Sequence, residues 1–533
     1  MNSFLEVSIP MDYKNTIITP KTDFPMKAGL PTREPGMLSR WEEQDLYEAM
    51  LEKNKDLPPF VLHDGPPFSN GDIHMGHALN KTLKDFIVRS HAMMGYYTPY
   101  VPGWDNHGLP IETAIIKKSK LNHKAMPVPQ FRAACEEFAE TYIQRQMAGF
   151  KRLGVVGNWK HPYRTMDKHF EAQEVKVFGR MFDKGYIYKG LKPVYWCPVC
   201  ATAVAEAEIE YSDETSPSIF VKFKMDIMPG MFETAGAAGD AYVLIWTTTP
   251  WTLPANTAVS LAPDADYVMV QADGSNMIMA RELVEQVAEI AGWESYDLVR
   301  GEDGEPVALK GREFTGLTYT CPVRQDLKGT IIYGDHVTLD SGTGAVHTAP
   351  GHGQDDYLVA LEFDVPLLMP VDDNGVLTDE AGPFAGLDVD EANPVIIEWL
   401  RERGTLVAEK KILHSYPHCW RCHEPVIFRA TDQWFVSMDK NSLRENALKA
   451  IENDVEWIPA WASNRIGSMV ADRPDWCISR QRSWGVPIPV FKCAKCGSTV
   501  ANEQTFDAVI DLFYREGADA WFTREPSEYL PRG

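Results

Sequence analysis

The chain has 533 residues, 44% of them hydrophobic and 24% charged, a length for several domains and the balance of a globular protein, not of a disordered or fibrous one. Against 75 acidic side chains stand 52 basic ones, a net charge of −23, which excludes a general nucleic-acid binder and leaves any RNA contact to local basic patches. No apolar run approaches the ~20 residues that span a bilayer and the first residues show neither a basic n-region nor an apolar h-region, so a cytoplasmic protein without membrane contact is expected, and nine cysteines, mostly in CxxC pairs, suit a reducing compartment.

Residues 1–57 read as an N-terminal arm with one helix over about Ser39–Lys53, packing through Trp41, Leu46 and Met50. A buried strand is predicted at Phe60-Val61-Leu62, then a tight loop and a helix capped by Asp72 and closed near Gly95. Its apolar positions are Met75, Leu79, Leu83 and Phe86/Ile87. His74 and His77 stand three apart at the start of that helix, so both imidazoles share one face. A helix N-terminus offers free N–H groups and a partial positive charge, and two side-chain donors there suit a phosphate. Gly76 between them lets a flat ligand lie against the backbone. Two histidines at this spacing also occur as plain surface or capping residues.

Next comes YYTPYVPGWDNHGLPIE, a second apolar stretch with a Gly/Pro-rich exit holding Asp105, a carboxylate that could bind an ammonium or merely close a turn. In an open α/β sheet such exits carry the ligands. Residues 130–185 read as two helices with stripes Phe131, Cys135, Phe138, Tyr142 and Val175, Phe178, Phe182.

From about Tyr211 to His414 the chain turns to β-branched runs and Gly-rich turns. Cys197/Cys200 and Cys419/Cys422 bracket this segment, as expected of a domain inserted into a host fold, and a tetrahedral four-thiolate zinc site would clamp its stalk. Inside it, the strand Tyr242–Trp246 delivers TTTPWTLPAN, whose hydroxyls and methyls could wall a small pocket. GTGAVHTAPGHGQDD follows at 342–356, where Asp356 could hold an α-ammonium and His347 a water or hydroxyl. Residues 415–533 return to the host through RPDWCISRQRSWG, which reads as RNA contact or as a packed turn, and end near a third pair, Cys493/Cys496, with no later cysteine to complete a metal site.

The string DGPPFSNGDIHMGH resembles the "HIGH" signature of class I aminoacyl-tRNA synthetases. GWDNHGLPIE, TTTPWTLPAN, GAVHTAPGHGQDDY and RPDWCISRQRSWGVPIP are similar to the isoleucyl branch of that family; valyl relatives usually read PPNVTG before the histidines, and leucyl and valyl ones TTRP. The resemblance covers nearly the whole chain and implies an α/β protein: a Rossmann-like catalytic domain begun by 58–210, an inserted, mainly β editing domain at 211–414, and a return at 415–533. It also implies ATP-dependent ligation of L-isoleucine to tRNA(Ile) through an isoleucyl-adenylate, with Mg²⁺ assisting, by a monomer. His74, His77 and Gly76 would serve the α-phosphate, and Gly65, Pro66 and Asp105 the amino acid. Thr247, Thr248, Thr249, Thr252 and Asn256 would form a hydrolytic pocket, with His347 on the tRNA ribose and Asp356 on the amino group of misattached valine. Such a second sieve is needed because one methylene gives a hydrophobic pocket little to discriminate on.

The chain departs from the family pattern at Asn106, where many relatives have Cys, and stops before the KMSKS loop and the DVWFDSG segment. The expectation is therefore an N-terminal portion deficient in adenylation but able to edit. The alternative is a stand-alone trans-editing deacylase or RNA-binding module.

Overall fold

The computed structural model describes residues 13–18, 23, 28–119 and 126–531; the start of the expected N-terminal arm lies outside them. The chain divides after Phe170 into two compact units.

The first unit holds α1 (Leu30–Glu43), α2 (Leu46–Asn54), α3 (Met75–Met93), α4 (Leu109–Ser119) and α5 (Val128–Arg152), with a short parallel pair, β1 (Gly103–Trp104) and β2 (Tyr163–Arg164). The single helix expected over 39–53 is two, because Asp45 turns to φ 45° between α1 and α2. The expected strand at Phe60–Leu62 reduces to one parallel bridge, Pro59 to Tyr97, with the Phe60 N–H donating to the Tyr97 carbonyl at 2.8 Å. Pro58-Pro59 before it and Pro66-Pro67 after it offer no N–H, and parallel pairing resumes only at the bridge of Phe68 to Asp105.

The apolar stripe foreseen for α3 faces outward. Met75 is 83% exposed and Leu79 63%, whereas Lys81, Asp85, Val88 and Ala92 are the buried positions. Both sets repeat at helical spacing, so periodicity alone could not tell which face is inside; the buried charges are tolerated because each has a partner. Asp85 accepts from Arg89 Nε at 2.7 Å and from the Val156 N–H at 2.9 Å.

In the second unit, which receives α6 (Lys168–Asp183) across the boundary, a four-stranded antiparallel sheet is built from β3 (Ile187–Cys197), β4 (Thr202–Val204), β16 (Ile427–Val436) and β17 (Trp476–Cys477), in the order β17-β16-β3-β4. The RPDW segment thus supplies the edge strand of an antiparallel sheet. Arg480 binds Glu208 at 2.9 Å, Arg482 donates to the Cys200 carbonyl, and Trp484 is buried, which makes this loop a packed turn and not an open RNA surface.

Out of that sheet rise β5 (Ile209–Met225) and β15 (Leu406–Cys419), antiparallel from Cys419 opposite Ile209 to Leu406 opposite Val221. Between them lie β6 (Ala241–Thr247), β7 (Ala258–Leu261), β8 (Asp266–Ala272), β9 (Ser275–Ala280), β10 (Asp297–Leu298), β11 (Ala308–Lys310), β12 (Thr318–Cys321), β13 (Arg324–Tyr333) and β14 (Ala345–Thr348). The pairing of β5 with β6 closes β6-β14-β7-β13-β12-β5 into a ring of six strands, and β9, β8 and β10 extend it from β6. Val243, Ile245, Val259, Leu261, Ile331 and Tyr319 are in its core, which removes free edges as it buries apolar surface. Short helices α7 (Gly230–Thr234) and α8 (Val284–Ala291), then α9 (Gln354–Glu362) and α10 (Val389–Glu402), complete this mainly β body. No helix among the described residues is long and apolar enough to cross a membrane.

Candidate functional sites

In the first unit the N-cap of α3 is His74, not Asp72, which instead meets Arg145 at the surface at 2.7 Å. The His74 Nδ1 accepts from the N–H groups of Gly76 at 3.1 Å and His77 at 3.4 Å. The His77 Nδ1 in turn accepts from the His74 N–H at 3.4 Å. This reciprocal cap engages donors of the helix start and leaves each ring's Nδ1 an acceptor, turning Nε2 outward. The rings stack with centroids 3.8 Å apart. Burial, then repulsion from His74 and Lys81, holds the His77 imidazole below its ordinary range, favouring the neutral donor. A Cβ on Gly76 would meet the His74 ring at 2.9 Å, so the glycine makes room for the stack. At Gly65 a Cβ would touch only Lys84 Nζ, at 3.8 Å, so protein packing does not require glycine there.

Asp105 is stitched to the Gly65–Ser69 loop: its N–H donates to the Pro67 carbonyl at 3.0 Å and its carbonyl accepts from Ser69 N–H at 3.3 Å. Asn106 Nδ2 adds a bond to Ser69 Oγ at 2.9 Å. The Pro66-Pro67 loop and Asp105, 39 positions after Pro66, are thereby held together.

Beneath them lies a hub that the sequence reading missed. The Asp64 carboxylate, fully buried, takes Lys81 Nζ and the Gly103 N–H (3.0 Å) on one oxygen and Lys84 Nζ (2.7 Å) on the other. Tyr163 OH donates to the Asp64 carbonyl at 2.7 Å, and a Cβ on Gly103 would fall 2.2 Å from the Tyr163 ring. Burial disfavours the charge, yet Lys81 and Lys84 together hold this carboxyl below its usual range. The hub joins the Gly65-Pro66 loop, the helix bearing the histidines and the strand leading to Asp105. The only sequence signal was a lysine four residues after His77, on the same helical face.

In the second unit β6 ends in the threonines. Thr247 Oγ1 accepts from the Thr249 N–H at 3.1 Å, Thr249 Oγ1 lies 3.2 Å from Thr252 Oγ1, and the half-buried Thr248 hydroxyl finds no partner among the described residues. His347, on β14, contacts Thr252 Oγ1 through Nε2 at 2.9 Å and Asn256 through Nδ1 at 2.8 Å. Burial keeps its imidazole neutral, pushed down to about 3. Asp356, in the first turn of α9, accepts from the Ala349 N–H at 2.8 Å on one oxygen; burial drives its carboxyl up to about 6, against that hydrogen bond. Thr247, Thr249, Thr252, His347 and Asn256 form one hydrogen-bonded wall, and Asp356 is bonded to the residue two beyond His347.

The sulfurs of Cys197, Cys200, Cys419 and Cys422 lie within 4.8 Å of one another, at the foot of the β5/β15 ribbon. Four thiolates around a tetrahedral zinc sit about 3.8 Å apart at Zn–S bonds of ~2.3 Å, so the donor set fits that ion. Cys493 and Cys496 join no such group among the described residues; Cys496 Sγ rests on Ser498 Oγ at 3.0 Å.

These features define a class. The family of class I tRNA synthetases (I, L, M and V) matches residues 36–533, and the chain belongs to it. Its fold is that family's mixed α/β architecture with a large inserted sheet. The isoleucine–tRNA ligase of Moorella thermoacetica is 51% identical over 523 residues, covering 98% of this chain and 55% of that protein. The isoleucine–tRNA ligase of Thermoanaerobacter sp. (strain X514) is 52% identical over 524 residues, with the same coverage. The chain thus spans about half the length of the curated relatives it matches. Among solved structures, a ternary complex of Agrobacterium radiobacter K84 agnB2 LeuRS with tRNA and LeuAMS matches 89% of this chain and 52% of that one, at 18% identity and a TM-score of 0.37.

Proposed function

We propose that this chain serves the ATP-dependent attachment of L-isoleucine to tRNA(Ile), and that its barrel hydrolyses misattached valine. Support for the first step comes from the two imidazoles at the start of α3, each with Nδ1 engaged by the backbone and Nε2 unbonded among the described residues. Two neutral N–H donors and the positive end of a helix can stabilise charge developing on the α-phosphate of ATP as the isoleucine carboxylate attacks. Gly65 and Pro66 would line the side-chain pocket and Asp105 would take the ammonium group. Mg²⁺ brought with ATP would supply further neutralisation of the phosphates, and the four clustered cysteines would hold a structural zinc. No covalent nucleophile is required, because orientation and electrostatics suffice.

The observation that carries the hydrolytic half is Asp356: a half-buried carboxylate with one oxygen on the Ala349 N–H and no partner on the other among the described residues, its anchor point lying two residues along the chain from the histidine that meets the threonine wall. It would anchor the ammonium of an aminoacyl ester while Thr247, Thr248, Thr249 and Thr252 exclude the larger side chain.

Hydrolysis of valyl-tRNA(Ile) by this chain tests the reading. Asp356→Ala is expected to slow it roughly ten- to a hundredfold, the value of a charge-assisted hydrogen bond, with His77→Ala leaving the rate unchanged. Equal loss in both variants would refute two separate sites. ATP–pyrophosphate exchange by this chain alone would refute the expectation that later segments complete the adenylation site, whereas hydrolysis without exchange is equally the signature of a stand-alone deacylase. The presence or absence of a continuing reading frame separates those two.

A further inference from the structure

The hydrogen bonds around His347 run in one direction only. Asn256 Nδ2 has two protons: one goes to the Ala258 carbonyl at 2.9 Å, the other to His347 Nδ1 at 2.8 Å. Its Oδ1 accepts from the hydroxyl of the fully buried Tyr319 at 2.7 Å. The Ala258 carbonyl can only accept, which settles which end of the amide faces the ring. Nδ1 of His347 is therefore the acceptor and the proton sits on Nε2. At the other end Thr252 spends its own proton on the Thr249 carbonyl at 2.8 Å, so towards His347 it can only accept, at 2.9 Å. Two independent carbonyls, Ala258 and Thr249, force the same assignment from opposite sides.

We propose that Tyr319 and Asn256 are positioning residues that lock His347 in its neutral Nε2–H form, so that His347 orients Thr252 and is not the base that activates water. This deepens the hydrolytic reading above and rests on it for its functional consequence. Both ring nitrogens are consumed in the wall of the pocket, which leaves no lone pair for a water molecule. Tyr319 belongs to β12 and Asn256 to the loop before β7, so the relay ties the barrel core to the threonine cluster. Nothing in the sequence pattern marks Tyr319, which reads as an ordinary strand aromatic.

The test is a side-chain nitrogen spectrum of the chain labelled at histidine, with His347→Gln identifying the resonance. A neutral ring with bare Nδ1 and protonated Nε2 from pH 6 to 8 is expected; an Nδ1–H or doubly protonated ring overturns the proposal. In Asn256→Asp a carboxylate faces Nδ1 and must draw a proton there, so the pattern should change; retention of the native pattern overturns it. Tyr319→Phe, which keeps the ring and its volume, should blur the pattern and lower kcat for valyl-tRNA hydrolysis roughly tenfold, as for one lost buried hydrogen bond, with KM little changed. An unchanged spectrum with unchanged kcat overturns the role of Tyr319. Should the chain hydrolyse no aminoacyl-tRNA, the hydrolytic reading fails while the spectra still decide the tautomer.

Discussion

Lys81 has 2% of its surface exposed and its ammonium on a carboxylate that has none. Lys81→Met would leave the buried carboxylate with Lys84 and the Gly103 N–H alone, so it should cost about 3 kcal/mol in chemical denaturation, the low end for a broken buried pair; Lys84→Met, at a more open position, should cost less. Because Asp64 is held below the ordinary carboxylate range, its contribution is present above that range and is lost as pH falls through the lowered value. Asp356 has the opposite sign. With its carboxyl pushed up to about 6, the folded chain holds a proton there that the unfolded chain has already released, so stability at this position declines as pH rises towards 6. An anchor for an ammonium must be ionised, however, so kcat/KM for valyl-tRNA hydrolysis should fall as pH drops through about 6; Asp356→Asn should flatten that limb. His74, His77, the threonines and Asp356 were legible in sequence because they lie in short contiguous strings. Asp64, Lys81 and Tyr319 were not: each acts through a partner at least 17 residues away, and a buried lysine looks the same on paper as a solvated one.

At the scale of elements, paired cysteines bracket the mainly β body in the sequence, and the β5/β15 ladder places those pairs together. One zinc per chain is the expected stoichiometry by metal analysis. Cys419→Ser or a chelator should abolish it and lower Tm by about 5 °C or more, since ~2 kcal/mol shifts a domain of this size by roughly 4–8 °C. The orientation of α3 could not be read from its pattern for a physical reason. Its outward Met75, Leu79, Leu83 and Phe86 are as regular as its inward Lys81, Asp85 and Val88, and hydrophobicity favours the wrong set once ion pairs form inside. The foreseen strand at Phe60–Leu62 failed on prolines that apolar content had outweighed.

At the scale of the whole molecule, the first unit carries the histidine-capped helix and the second carries the closed barrel and the cysteine cluster. Class and overall architecture followed from motifs spread along the chain, whereas the ring closure of β5 on β6 depends on pairings between strands whose order no motif encodes. The ribbon that bears the barrel has a length written into its register. From Ile209–Cys419 to Val221–Leu406 it spans thirteen residues of β5, roughly 40 Å at ~3.3 Å each. It therefore works as a boom of fixed reach. One residue added to a single rail would swap the inner and outer side chains beyond the splice and spoil the ladder. Two added to each rail would preserve parity and carry the head about 7 Å farther out, a displacement that small-angle scattering can read.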